Sequence, residues 1–307
     1  FPVTLVIARI LDQDPLPFLL VEVLCSNIGG TATLIGDPPN IIIGTATGLS
    51  FNAFIANLVP PVAATLLLTL AILWAVYGRR MAAAEEQRKG VMAQDARAAI
   101  RDGRLLVRAG LVTAATVGAF FLQDLTGLSP AVVALAGAAV AMIVCGTRVE
   151  RCLEEVEWPT ILFFVGLFVM VGALEATGVV GAIADALASA SDSRAATAAL
   201  IIWGSGAASA VIDNIPFTAT MVPVIEELGA AKGYSPAELE PLWWSLSLGA
   251  CLGGNATLIG ASANLVVAGM SEREGIAFTF WRFTKVGLPL TALALAVSTA
   301  YVLLFQL

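Results

Sequence analysis

The chain has 307 residues, 58% hydrophobic and only 13% charged, with a formal net charge of −7. A soluble globular protein carries about 25% charged residues, so this composition, rich in Gly and Ala, points to lipid as the solvent and close-packed membrane helices as the fold. Histidine is absent, the four cysteines show no metal spacing, and neither a P-loop nor a GxSxG sequence occurs. No basic tract interleaved with aromatics suggests nucleic-acid binding, and a membrane-embedded enzyme is left as a remote reading.

The elements follow in chain order. Phe1–Ile10 is already apolar and lacks the charged start of a signal peptide. The expectation is a cut through a hydrophobic element, that is, an N-terminally truncated chain with upstream segments outside it. Residues 16–50 are apolar but interrupted at Asn27–Asn40, which predicts a broken helix, and 54–78 is long enough to span the roughly 20 residues a bilayer needs. Residues 1–78 would then be the C-terminal part of a first repeat. The linker 79–104 holds Arg79, Arg80, Arg88, Lys89, Arg97, Arg101 and Arg104, seven of the sixteen basic residues. That excess predicts a cytoplasmic linker, and its Ala-rich, mixed-charge pattern an interfacial or solvated helix.

Residues 105–307 would form the second half. Spans are predicted over 105–125, 128–146, 159–177 and 283–307, with 178–194 along the outer interface. Residues 195–228 hold two apolar runs broken by Asp213-Asn214-Ile215-Pro216. Pro216 removes a donor, and Asp213 and Asn214 are costly against lipid, so a re-entrant hairpin is predicted. A broken helix over 239–270 follows. With the hairpin not crossing, Arg273, Arg282 and Lys285 fall on the cytoplasmic side.

An internal repeat carries the functional argument. Gly29–Asn40 and Gly253–Asn264 align at an offset of 224 with eight of twelve positions identical, and Pro17 matches Pro241 at the same offset. An odd number of predicted crossings separates the copies, which makes them an inverted-topology repeat of the kind used for alternating access. Gly29, Gly30 and Gly36 permit non-helical backbone, and Pro38 and Pro39 stop the helix. Unwinding exposes carbonyls for a cation and half-helix N-termini for an anion. Asn27, Thr31, Thr33, Asn40, Gly254, Asn255, Thr257, Ser262 and Asn264 complete the candidate binding set. Among carboxylates, Asp37 ranks first for ion or proton coupling. Its repeat partner is Ala261, and its competing role is a helix cap. Asp213 ranks second, with the same competing role. Glu22 would line the cavity or pair with Arg9. Cys25 and Cys251 invite a thiophilic arsenite reading.

Ser26–Asn40, SNIGGTATLIGDPPN, resembles the signature of the ion transporter superfamily and is most similar to the ArsB/NhaD permease branch. That branch includes arsenite permeases, NhaD-type antiporters and the P protein; the divalent-anion/sodium symporters are more distant. Val156–Leu174 and Ile212–Ile225 are similar to the same group. The resemblance implies an all-α polytopic protein of the inner (plasma) membrane, with one re-entrant hairpin and one broken helix per half. The first hairpin tip would lie shortly before Phe1. Asp213, Asn214 and Thr218 would belong to the second, with a Na⁺ site at Asp213, Asn214, Asn255 and Asn264. No cofactor is implied beyond a coupling Na⁺ or H⁺. The implied partners are the bilayer, a small ion or solute, a second copy of the chain and, for an arsenite pump, a soluble ATPase. The leading function is ion-coupled secondary transport of a small anion or arsenite-like solute, with a Na⁺/H⁺ antiporter on the same scaffold as the alternative.

Overall fold

The structure is a computed structural model that describes residues 1–78, 83–94, 100 and 102–307. The described residues are helical or loop, without strands. The first part contains α1 (Pro2–Ile10), α2 (Pro15–Gly30), α3 (Pro38–Thr47) and α4 (Phe51–Tyr77). Asp14 caps α2 by accepting from Leu16 N, and Pro15 occupies its first turn. Gly48, in the left-handed region at φ 71°, ends α3, and Ser50 caps α4. Within the linker, α5 (Glu85–Met92) buries no side chain. Arg79, Arg80, Arg97 and Arg101, on which the cytoplasmic placement partly rests, lie outside the described residues.

The second part contains α6 (Gly103–Phe121), α7 (Gln123–Thr126), α8 (Pro130–Cys145), α9 (Val149–Glu154), α10 (Trp158–Ala176) and α11 (Val179–Ala190). It continues with α12 (Arg194–Ser209), α13 (Asn214–Lys232), α14 (Pro236–Gly253), α15 (Ser262–Arg273) and α16 (Phe280–Phe305). Four of these helices, α4, α6, α10 and α16, are long and apolar enough to cross a bilayer. Their outer faces carry exposed apolar side chains, such as Leu67, Trp74, Leu111, Val169 and Leu304. Such exposure is unfavourable against water and neutral against lipid. The chain is an all-α polytopic membrane protein.

Helix bounds differ from the sequence expectation in one informative place. The span predicted over 128–146 is the 16-residue α8, about 24 Å long. Ser129 accepts from Val132 N at its start, and Gly146, at φ 66°, ends it.

The centre of the molecule is α14, whose residues Pro241–Gly253 are all buried. Against it pack α12, α13 and α16, with α2 and α3 reaching it from the first part. The α12–α14 contact is close because small residues face each other. A Cβ on Gly253 would lie 2.6 Å from Gly206 Cα, and one on Gly249 2.6 Å from Ile202 O. Phe54 of α4 meets Trp244 of α14 edge-on at 5.0 Å, which joins the two parts of the chain.

Gly253→Ala is expected to destabilise the protein by about 1–3 kcal/mol through this backbone contact. Gly29→Ala, whose Cβ would meet nothing within 4 Å, serves as the control. Thermal melting in detergent micelles checks the pair, and equal melting temperatures would contradict the close α12–α14 crossing.

Candidate functional site

Two interruptions, one between α2 and α3 and one between α14 and α15, have the same backbone geometry. Ala32 N donates to Gly29 O at 3.1 Å, and Ala256 N to Gly253 O at 3.0 Å. Gly36 N donates to Thr33 O at 3.3 Å, and Gly260 N to Thr257 O at 3.3 Å. The second half-helices begin from extended residues, Asp37 (φ −144°, ψ 136°) and Ala261 (φ −148°, ψ 142°). Within each break two glycine backbones touch. A Cβ on Gly30 would lie 2.7 Å from Gly36 O, and one on Gly254 2.7 Å from Gly260 O. Any other residue would push the strands of the break apart.

Each break is closed by a buried asparagine. Asn40 Nδ2 donates to Thr31 O (3.0 Å) and Thr33 O (2.9 Å). Asn264 Nδ2 donates to Gly254 O (3.0 Å) and Thr257 O (3.0 Å). All four carbonyls have lost their helical partners; the amides replace them at Thr31 O and Gly254 O and add to the turn bonds from Gly36 N and Gly260 N at Thr33 O and Thr257 O.

The two breaks are also tied to each other. Asn27 Nδ2 donates to Asn255 Oδ1 (2.8 Å) and to Asn264 Oδ1 (2.9 Å), and Asn255 Nδ2 donates to Leu24 O (3.1 Å). On the other side, Asn40 Oδ1 accepts from Ser247 Oγ (2.6 Å) and Cys251 Sγ (3.7 Å). Cys251 stands 224 positions after Asn27, so both residues do the same thing: each caps the closing asparagine of the opposite break.

Beside this junction lies a cavity of about 190 Å³. The first residues of three helices line it: Pro38 of α3, Asn214 and Ile215 of α13, and Ser262 and Ala263 of α15. Each such terminus carries about half a positive charge. The lining includes one carboxylate, Asp37, and no Lys or Arg among the described residues. Asp37 sits at the N-cap position of α3 but makes no capping bond. Its two oxygens instead accept from Asn214 Nδ2, each at 3.4 Å. Asp213 does cap, accepting from Ile215 N (3.0 Å), while its other oxygen accepts from Ser262 Oγ (2.8 Å).

The residues expected from sequence therefore separate into groups. Asn27, Gly30, Gly36, Asp37, Asn214 and Ser262 line the cavity, and Asp213 flanks it. Asn40, Asn255, Asn264, Thr31 and Thr33 hold the breaks closed through side chains or carbonyls. Thr218 donates to Asn214 O, Thr257 to Ala210 O, and Gly253 serves the α12 crossing. Gly29 is exposed and touches nothing a side chain would meet. The four residues of the implied Na⁺ site fall into two places: Asn255 and Asn264 receive the Asn27 amide, whereas Asp213 and Asn214 bond Ser262 and Asp37.

Glu22 does not pair with Arg9. It accepts from Thr4 Oγ1 (2.7 Å), and Arg9 reaches Glu274 (2.6 Å) on the loop after α15. Among the described residues no three Cys, Asp or Glu side chains cluster as a metal or thiolate site. Sequence reasoning missed Ser26, Ile215 and Ala263 in the lining and Ser247 against Asn40. Ser26 adjoins the motif and was legible; Ser247 lies in an apolar run with no pattern to mark it.

Comparison with known proteins matches residues 1–249 to the family CitMHS, described as citrate transporter. An uncharacterized transporter of Mycobacterium tuberculosis (strain H37Rv) is 44% identical over 301 residues, covering 98% of this chain and 70% of the relative. One from Synechocystis sp. (strain PCC 6803) is 32% identical over 320 residues, covering 96% and 70%. The P protein of Mus musculus is 32% identical over 381 residues, covering 99% of this chain and 46% of that protein.

Asn40→Ala removes the donor to the buried Thr31 carbonyl, one of the two donors to Thr33 O, and the acceptor of Ser247 and Cys251. The expected loss is roughly 1–3 kcal/mol for each group left unpaired, read as a lower melting temperature in detergent. Asn57→Ala, which frees one half-buried carbonyl bond and the Gln306 contact, should cost less. The reverse order would contradict the closing role of Asn40.

Proposed function

The chain belongs to the CitMHS family of transporters, and from that premise we propose that it carries a small anion together with a cation neutralising Asp37. Citrate, the substrate in the family's description, is the first to test. The observation that carries this reading is that Asp37, with no basic partner among the described residues, lines a solute-sized cavity together with three helix N-termini. The N-termini favour an anion, but Asp37 opposes one. Two like charges about 4 Å apart repel by about 4 kcal/mol at an effective dielectric of about 20. Taking up H⁺ or Na⁺ at Asp37 removes that repulsion. Solute and coupling ion then bind each other's preferred state, and the linkage is reciprocal.

The matched geometry of the two breaks supports alternating access. Each half-site is built alike and closed by the other half's side chain, so a rocking of one repeat against the other exchanges equivalent contacts. The helix–turn–helix at Asp213–Asn214 supports a re-entrant hairpin whose tip meets the first break. An arsenite-like neutral solute fits the same lining, and likeness to the P protein supports a place near the ArsB/NhaD branch. A Na⁺/H⁺ antiporter is the second reading, favoured by a lining with a carboxylate and no basic side chain. In that case Asp37 exchanges Na⁺ for H⁺ with no solute beside it.

Proteoliposomes of the full-length protein test this. Uptake of labelled citrate driven by an inward H⁺ or Na⁺ gradient is expected. Asp37→Asn should abolish accumulation against a gradient while preserving solute exchange at equilibrium. Asn is neutral, as Asp37 is when its cation is bound. Proton release driven by Na⁺ without any solute would favour antiport. Unchanged ion dependence in Asp37→Asn would remove that residue from coupling.

A further inference from the structure

A cavity of about 700 Å³, larger than the candidate site, lies between α3, the start of α4 and the α6–α8 hairpin. The first break separates the two cavities. Gly36 and Asp37 line the smaller one, whereas Leu34 and Ile35 line the larger. From there the wall continues over Ile41 and Gly44 of α3, Phe120 of α6, and Ala131 and Ala134 of α8, all apolar. Apart from Thr45 of α3, the polar side chains gather at the other end. They are Ser50 before α4, Gln123 and Asp124 of α7, and Ser129 before α8. The cavity follows α3 from Gly48 to Ile41, about 10 Å along the axis, and so stays within one leaflet of a core about 30 Å thick. Its polar mouth adjoins the start of α4, whose other end leads into the linker 79–104. The mouth therefore lies on the membrane face opposite that linker.

We propose that this cavity holds one acyl chain of a phospholipid whose headgroup carries an amine, such as phosphatidylethanolamine, in the leaflet opposite the linker. The walls select the chain. They offer a polar solute almost no partner, and a hydrocarbon tail restores the dispersion contacts that an open cavity forfeits. The mouth selects the headgroup. Both α4 and α8 begin there, and helix N-termini favour a phosphate. Ser129 Oγ accepts from Val132 N, which leaves its hydrogen to donate. Gln123 gives its oxygen to Phe51 N (3.0 Å), which leaves its amide hydrogens. Asp124 is the one carboxylate of the lining, and no Lys or Arg lines it among the described residues. Asn52 Nδ2 holds that carboxylate in place at 2.6 Å. An amine finds its counter-charge at Asp124, whereas a headgroup with net negative charge is repelled. A zwitterion meets both signs. The tail then lies against Leu34 and Ile35, on the back of the break whose front carries Asp37. The site does not depend on which solute the protein transports.

The test uses the full-length protein in nanodiscs containing a photoactivatable phosphatidylethanolamine with its reactive group near the chain end. Labelled residues are mapped by mass spectrometry. Labelling is expected at Leu34, Ile35, Ile41 and Ala134 above that at Phe163 and Val169, exposed apolar residues of α10. Unlabelled phosphatidylethanolamine should compete at a lower mole fraction than phosphatidylglycerol does. Ala134→Phe fills the cavity and should abolish this labelling while α10 keeps its own. Asp124→Asn should keep the labelling and lose the preference between the two headgroups. Labelling no higher than on α10 is ordinary boundary lipid and overturns the proposal. Equal competition by the two lipids on the wild type overturns it independently of any variant. A label that survives Ala134→Phe, or a preference that survives Asp124→Asn, overturns it as well.

Discussion

A helix that breaks inside a bilayer leaves carbonyls and N–H groups with no water to receive them, and the centre of this protein is the solution to that constraint. Asn40 and Asn264 return two donors each to the carbonyls released by their own breaks. Their oxygens are then held by the opposite break, through Asn27 on one side and through Ser247 and Cys251 on the other. Neither break is satisfied alone. The requirement to pair backbone in lipid thereby forces α2, α3, α14 and α15 together and creates the cavity beside them.

The two halves are alike in backbone and unlike in chemistry. Where the first break has Asp37, the second has Ala261; where the first has Asn27, the second has Cys251. Only one half therefore carries a charge into the cavity. Asn214 donates to that charge and brings the start of α13 with it, and Cys251 of α14 reaches it as well. On the coupled-transport reading proposed above, this asymmetry matters: the shared frame would serve opening to both faces, and the Asp37 carboxylate would be the group whose neutralisation is tied to it.

Much of this was legible in the sequence, because glycine and proline act locally. Gly30, Gly36 and Pro38 weaken a helix locally whatever they later pack against, and the repeat shows that the interruption is built twice. What was not legible depended on distant partners. Asn255 and Asn264 read as ligands because an amide in an apolar segment needs a partner, and the partner turned out to be Asn27 of the other repeat. The sequence places Glu22 in the cavity wall or beside Arg9, but α1 lies where Arg9 meets Glu274, far along the chain. Ser247 sits in an apolar run as an ordinary packing residue would, and only the crossing of α14 with α3 shows that its hydroxyl meets Asn40.

The central claim is that the two breaks form one unit through Asn27. A double-mutant cycle on Asn27→Ala and Asn264→Ala, measured as unfolding free energy in micelles, addresses it most directly. Residues sharing a buried network couple by about 0.5–3 kcal/mol, whereas independent ones add. The account predicts that the double variant loses clearly less than the sum of the single losses. Strict additivity would contradict it and leave the two breaks as separate structures.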